Sequence, residues 1–241
     1  MIIIADMHTH TIASGHAYST VNEMAAEAAR KGLQALALTD HGPTMPGGPH
    51  LYHFGAMRFI PPWISGVRIL RGAEANITGA DGAIDLPETY LARLDYVMAG
   101  FHAGCGFEAT GLAANTDAAL LAMRNPLVRG IAHPGNPEYQ VDLEALVQGA
   151  VETGTALEIN NSSLSVSRRG SRSNCEQLAR MIARKGALVV VGSDAHIAQG
   201  VGEFGDAVEL LARAGVAEDQ VVNSSFSRLM EFLEIKENPD V

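Results

Sequence analysis

The sequence predicts an α/β fold in which seven short strands alternate with crossover helices. Two observations predict it. β-Branched or aliphatic runs recur along the chain, and each is followed by a longer segment whose apolar residues repeat at helical spacing. Histidines, carboxylates or carboxamides follow each strand directly, and a parallel sheet gathers such positions on one face because its strands all run the same way.

The strands are expected at residues 2–5, 35–39, 67–70, 96–99, 128–132, 156–159 and 188–191. The first helix follows Thr20, whose hydroxyl pairs with Glu23 in a capping box, and ends at Gly32, a residue suited to a left-handed cap. Further helices are expected at 115–124, 142–153, 174–185, 203–214 and 225–234. The Pro-rich stretch 42–66 reads as an extended loop, of the kind that forms lids and binding loops. Seven such units close into a barrel or stay an open sheet.

With 241 residues and 47% hydrophobic content, the chain fits one domain spanning 1–241. No stretch reaches the roughly 20 apolar residues of a membrane helix, and Met1 to Ile4 lack the basic flank of a signal peptide, so a cytoplasmic protein is expected. Cys105 and Cys175 are too few for a disulfide framework and read as small buried residues. The net charge of -10, with no basic run longer than Arg168-Arg169, argues against stable nucleic-acid binding.

The candidate chemistry lies at the strand ends. Asp6, His8, His10 and His16 follow the first strand, Asp40 and His41 the second, Glu74 the third, His102 the fourth and His133 the fifth. Asn160-Asn161 follow the sixth, and Asp194 and His196 the seventh. His8 and His10, two apart, point the same way and can grip one ion together. Asp6 reads as a partner that orients a metal-bound imidazole, or as a strand-end cap. Histidine and carboxylate donors without thiolates suit zinc, manganese or iron.

The segments Asp6-Met7-His8-Thr9-His10, Thr39-Asp40-His41-Gly42, Gly100-Phe101-His102, Ala132-His133-Pro134-Gly135-Asn136-Pro137 and Gly192-Ser193-Asp194-Ala195-His196 resemble the signature of the PHP superfamily. Arg71-Gly72-Ala73-Glu74, Leu157-Glu158-Ile159-Asn160-Asn161 and His16-Ala17-Tyr18-Ser19-Thr20 are similar to its small stand-alone YcdX-type phosphatases. The resemblance implies a distorted (β/α)7 TIM-like barrel with three divalent metal ions, zinc first and manganese or iron as alternatives. It implies that His8, His10, Glu74 and Asp194 hold one ion, that Glu74, His102 and His133 hold a second with Glu74 bridging, and that His16, His41 and His196 hold a third.

The activity so implied is phosphatase hydrolysis of a small phosphorylated substrate, a phosphomonoester, by metal-bound hydroxide, because bridged divalent ions lower a bound water's pKa and attract a dianion. Phosphodiester cleavage is the alternative. Arg168 and Arg169 are candidate phosphate partners, with solvated loop arginines as the competing reading. Asp40 is a proton donor to the leaving group or a partner of a ligand. His50 and His53, near Trp63 in the Pro-rich stretch, contact substrate or form lid surface.

Overall fold

The computed structural model describes residues 1–236, so the end of the expected 1–241 span lies outside the described residues. In chain order the elements begin β1 (Ala5–Asp6), α1 (Val21–Arg30), β2 (Ala35–Leu38), α2 (Leu51–Ala56), β3 (Trp63–Ile64), β4 (Val67–Asn76), α3 (Glu88–Leu91) and β5 (Tyr96–Gly100). They continue with α4 (Leu112–Met123), β6 (Gly130–Ile131), α5 (Leu143–Thr153), β7 (Ala156–Asn160), α6 (Ser162–Ser165), α7 (Ser171–Lys185), β8 (Val189–Gly192), α8 (Gly205–Ala214) and α9 (Phe226–Phe232).

Strands β1, β2, β4, β5, β6, β7 and β8 pair in that order, all in parallel, and β3 folds back antiparallel on β4. The first and last strands meet just past their ends. Thr9 bridges Ala195 in parallel, with His10 N donating to Ala195 O at 2.9 Å and Asp194 N to His8 O at 2.8 Å. At the opposite end Asn223 wedges between them, giving its amide to the carbonyls of Ala5 and Val191 at 2.8 Å each. The expected barrel is therefore present, distorted where a side chain replaces a ladder.

Alternation along each strand divides the core. Leu36, Leu38, Ile69, Val97, Leu157, Ile159, Val189 and Val191 face outward and pack with the helices. Ala5, Ala35, Ala37, Leu70, Tyr96, Met98, Ala156 and Val190 face inward and pack with Leu229, Met230 and Leu233 around α9. Small inward residues make room for Tyr96: a Cβ on Gly130 would lie 2.4 Å from its hydroxyl.

Thr20 and Glu23 form the expected capping box on α1, and Gly32 takes φ 76° beyond it. Four expectations need correcting. The stretch 42–66 contains α2 and β3, because its prolines sit outside both elements and leave their donors intact. The third expected strand runs six residues further, to Asn76, so Glu74 lies inside β4 rather than after it. The first strand lies at Ala5–Asp6, later than expected. Two short helices, α3 and α6, were absent from the sequence pattern because one turn carries no readable period.

Candidate metal centre

The inward positions of β4 and β7 change character toward the carboxyl end. Leu70 gives way to Glu74 and Asn76, and Ala156 to Glu158 and Asn160, all buried. Around this polar upper layer stand His8, His10, His41, His133 and Asp194, also buried, with His102 half-buried.

Glu74 stands at the middle with its two oxygens turned to different partners. Oε1 lies 2.7 Å from His133 Nε2 and 3.1 Å from His102 Nε2, while Oε2 lies 3.2 Å from His8 Nε2, 3.5 Å from His10 Nε2 and 2.9 Å from His41 Nδ1. Asp194 Oδ1 faces the second group, 3.3 Å from His10 Nε2 and 3.6 Å from His8 Nε2.

The outer nitrogen of each ring fixes what the inner one offers. His8 Nδ1 lies 2.7 Å from Glu158 Oε1, His10 Nδ1 3.1 Å from Ser14 Oγ, His102 Nδ1 2.7 Å from Asn76 Oδ1, and His196 Nδ1 2.9 Å from Asp194 O. Asn76 is oriented by its own amide, which donates to Asp85 at 2.6 Å, so its oxygen must accept from His102. In each case the proton belongs on Nδ1 and a lone pair is left on Nε2. With both rings neutral, as metal binding requires, His8 Nε2 and His10 Nε2 face each other at 3.0 Å with no proton to share, and among the described residues Glu74 Oε2, Asp194 Oδ1 and His41 Nδ1 are buried without hydrogen-bond partners. Converging acceptors of this kind call for a cation.

In the ion-free chain the rings differ in protonation. Burial and then the neighbouring His41 push His10 down to about 3, burial and then Arg168 push His133 to about 3, and burial lowers His102. These rings are neutral at pH 7. Burial would raise Glu74 and Asp194, but His8 with the other facing histidines for Glu74, and His8 with Arg168 for Asp194, outweigh it and hold both well below the carboxylate range. Burial likewise opposes charge on His8, yet Glu158, Glu74 and Asp194 raise it well above its usual value, so in the ion-free chain His8 takes the positive charge the cluster lacks.

Three donor sets emerge: His8, His10 and Asp194; His41, Glu74 and His102; and His10, His41 and His196. His16 stands further out, its ring centroid 5.1 Å from His41, 5.0 Å from His196 and 6.4 Å from His10. The third grouping implied by the resemblance is thus drawn together through His41 and His196, with His10 approaching it from inside.

The surroundings of Asp40 and Asp6 bear on the alternatives that the sequence leaves open. Asp40 accepts from Thr11 N at 2.7 Å, Thr11 Oγ1 at 2.8 Å and Ser14 Oγ at 2.8 Å, with His53 Nε2 at 3.3 Å. Burial alone would raise it, but the nearby His53 and His10, with the main-chain donor of Thr11, bring it to about 2, so it has no proton to give at neutral pH. Asp6 accepts from the main-chain N–H groups of His8, Ser193 and Gly202 at 3.3, 3.0 and 2.8 Å and so ties the strand ends together.

Arg168 lines the mouth of the centre, an open cleft of about 410 Å³, and donates through Nη1 to Asp194 Oδ2 at 2.8 Å. Arg169 makes no hydrogen bond or ion pair among the described residues and does not line that cleft. His50 caps α2 by accepting from Tyr52 N at 3.2 Å, away from the rings. The residue that sequence reasoning missed is Glu158. Its signal was a lone carboxylate in a strand whose neighbours are apolar, since a strand buried on both faces carries a charge only when that charge has partners.

Comparison with known proteins places this geometry among relatives. The PHP domain family profile matches residues 6–126. A protein of Syntrophotalea carbinolica named "probable phosphatase" is 53% identical over 228 residues, 95% of each chain. One of Acetivibrio thermocellus with the same name is 48% identical over 236 residues, 98% of this chain and 97% of the relative. Among solved structures, the histidinol phosphate phosphatase of Lactococcus lactis, complexed with zinc, L-histidinol and phosphate, shares the fold at a TM-score of 0.61 and 16% identity, over 88% of this chain and 94% of that one.

Proposed function

The chain belongs to the PHP domain family, and on that premise we propose that it is a phosphatase that hydrolyses small phosphomonoesters with a centre of three divalent ions, zinc being the first candidate. One observation carries the reading: among the described residues, polar atoms of Glu74, Asp194 and His41 lie buried without hydrogen-bond partners, and they fall within donor sets whose ligand atoms converge as a metal ion would need. The relatives named as phosphatases support the reaction class, and the zinc in the Lactococcus lactis structure supports the metal.

His8, His10, Glu74 and Asp194 would hold one ion, Glu74, His102 and His133 a second, and His16, His41 and His196 a third. Ions bound there would polarise a phosphoryl oxygen and make water nucleophilic at neutral pH. The chain's own residues do the rest. Glu74 divides its two oxygens between the inner sets. Arg168 uses only Nη1 in its hydrogen bonds, which leaves Nε and Nη2 to meet two phosphate oxygens in the fork geometry that guanidinium favours. Asp40, ionised and fixed by three donors, holds the turn that carries Ser14 and backs His10. The protons on Nδ1 of His8, His10 and His102 stay with their partners, so these rings keep their donor direction throughout.

The test is a panel of an aryl phosphate, a sugar phosphate, a bis-aryl phosphate and single-stranded DNA, with enzyme reconstituted in separate metals. Higher kcat/KM on the monoesters is expected, because a dianion complements a cationic centre within a chain of net charge -10 that repels a polyanion. Higher efficiency on the diester or on DNA would overturn the reading in favour of phosphodiester cleavage.

A further inference from the structure

We infer that Glu158 is the positioning residue of the centre, setting the ring of His8 and the backbone of His133 at once and so making retention of the two inner ions interdependent. The inference rests on the metal-centre reading above and goes beyond it, because Glu158 belongs to none of the donor sets.

Glu158 stands inside the barrel on β7, 1% exposed. Its Oε1 lies 2.7 Å from His8 Nδ1 and accepts from Asn160 Nδ2 at 3.2 Å, and its Oε2 accepts from His133 N at 2.7 Å. Both oxygens are thereby engaged by donors, so the carboxylate acts on its neighbours and leaves the converging atoms to the other side chains. The contact with His8 directs Nε2 toward Glu74 and Asp194, which are candidate holders of the first ion. The contact with His133 falls on a residue at φ 31°, a left-handed conformation that strains a non-glycine residue and persists only where its surroundings hold it. His133 is a candidate holder of the second ion. A single carboxylate therefore orients one candidate ligand of each.

A second feature of the fold protects the contact. A Cβ on Gly192 would lie 2.5 Å from Glu158 Oε1 and 2.4 Å from His8 Cβ. Only glycine at the end of β8 lets the ring and the carboxylate meet there. Asn160 extends the link, giving the same amide to Glu158 and to Asp194 Oδ2, each at 3.2 Å.

Glu158→Gln keeps the shape and removes one acceptor. An amide has a single oxygen, so it can accept from His8 Nδ1 or from His133 N but not from both through separate atoms, and its NH2 must face the other N–H. One ion's ligand is then misdirected whichever way the amide turns, and the coupling through Glu74 carries the loss to the other.

The experiment is competition of the zinc-loaded chain with a chelator, followed by elemental analysis and fluorescence of released zinc. In Glu158→Gln two ions should leave at about ten- to hundredfold lower chelator concentration than in the parent, the usual cost of losing a partner of a metal-bound histidine, while the third leaves at the parental concentration. Parental resistance of all ions overturns the inference, and so does equal weakening of all three, which would mark a general loosening of the barrel. If the variant does not fold, 15N NMR of the imidazoles in the unsubstituted zinc-loaded chain decides: a proton on His8 Nδ1 supports the inference and a proton on Nε2 overturns it. An unsubstituted chain that binds no zinc would sink the metal-centre reading itself, a result distinct from all of these.

Discussion

The inner and outer halves of the candidate centre are built differently. His8, His10, Glu74, His133 and Asp194 are each at most 6% exposed, and the rings of His8 and His102 are fixed by Glu158 and Asn76, side chains on strands of the barrel. His16 and His196 stand on loops, the first exposed and the second with a third of its side chain in solvent, and His196 is fixed only by a carbonyl two residues away. Burial and side chains rooted in β4 and β7 hold the inner group, whereas exposed loop conformation sets the outer one, and loops yield more easily. For the proposed centre of three ions, this difference predicts a tightly held pair and a more exchangeable third.

The largest expected effect separates the halves at once. Glu74→Gln should remove both inner ions and lower kcat/KM by more than about a hundredfold, beyond the usual cost of losing a mere partner of a ligand. His16→Ala should remove one ion and leave the inner pair in place. Elemental analysis of both variants checks this; a Glu74→Gln protein with full metal content would show that the carboxylate is not shared.

Graded chelation of the unsubstituted chain should remove metal in two stages, one ion first and the remaining two together, with activity falling at a stage that identifies which ions it needs. Release of all ions in a single step would erase the distinction between inner and outer groups.

The same division governs what could be read from the sequence. The alternation of strands and helices and the recurrence of His, Asp and Glu at strand ends made the barrel and its active face legible, because both are local patterns repeated seven times. Glu74 was recognised but placed beyond its strand, since the run Gly72 to Asn76 mixes small and polar residues that do not read as a buried strand until β5 pairs with it. Glu158 and Asn76 were illegible as partners because their roles depend on contacts between strands distant in sequence, such as the 150 positions separating Glu158 from His8. Asp40 was legible as a candidate, but its ionised state depends on donors from Thr11, Ser14 and His53 that the fold alone assembles.

Arg168 sharpens the comparison from the substrate side, since it lines the cleft yet is tied to the inner residue Asp194. Arg168→Ala should lower kcat/KM by about 1.5–3 kcal/mol, the worth of a hydrogen bond to a charged group, with metal content preserved because Asn160 still holds Asp194. Arg169→Ala should leave the kinetics unchanged. Steady-state rates with metal analysis on the same samples distinguish a lost phosphate contact from a lost ion.

The smallest expected effect lies where the two halves meet. Ser14 is fully buried, and its hydroxyl contacts His10 Nδ1 at 3.1 Å, accepts from His41 N at 3.2 Å and donates to Asp40 at 2.8 Å. It therefore touches a ring of the inner group and the backbone of the outer one. Ser14→Ala removes a single oxygen from a packed turn, so the expected loss is about 0.5–1.5 kcal/mol, the net worth of an ordinary hydrogen bond. Because that loss is shared, both stages of metal release should move to lower chelator concentration by a similar factor of a few. Movement of the inner stage alone would show that Ser14 serves only His10, and movement of the outer stage alone that it serves only His41. If neither stage moves, the two halves are coupled through Glu74 and the barrel backbone, and the hydroxyl merely fills space in the turn.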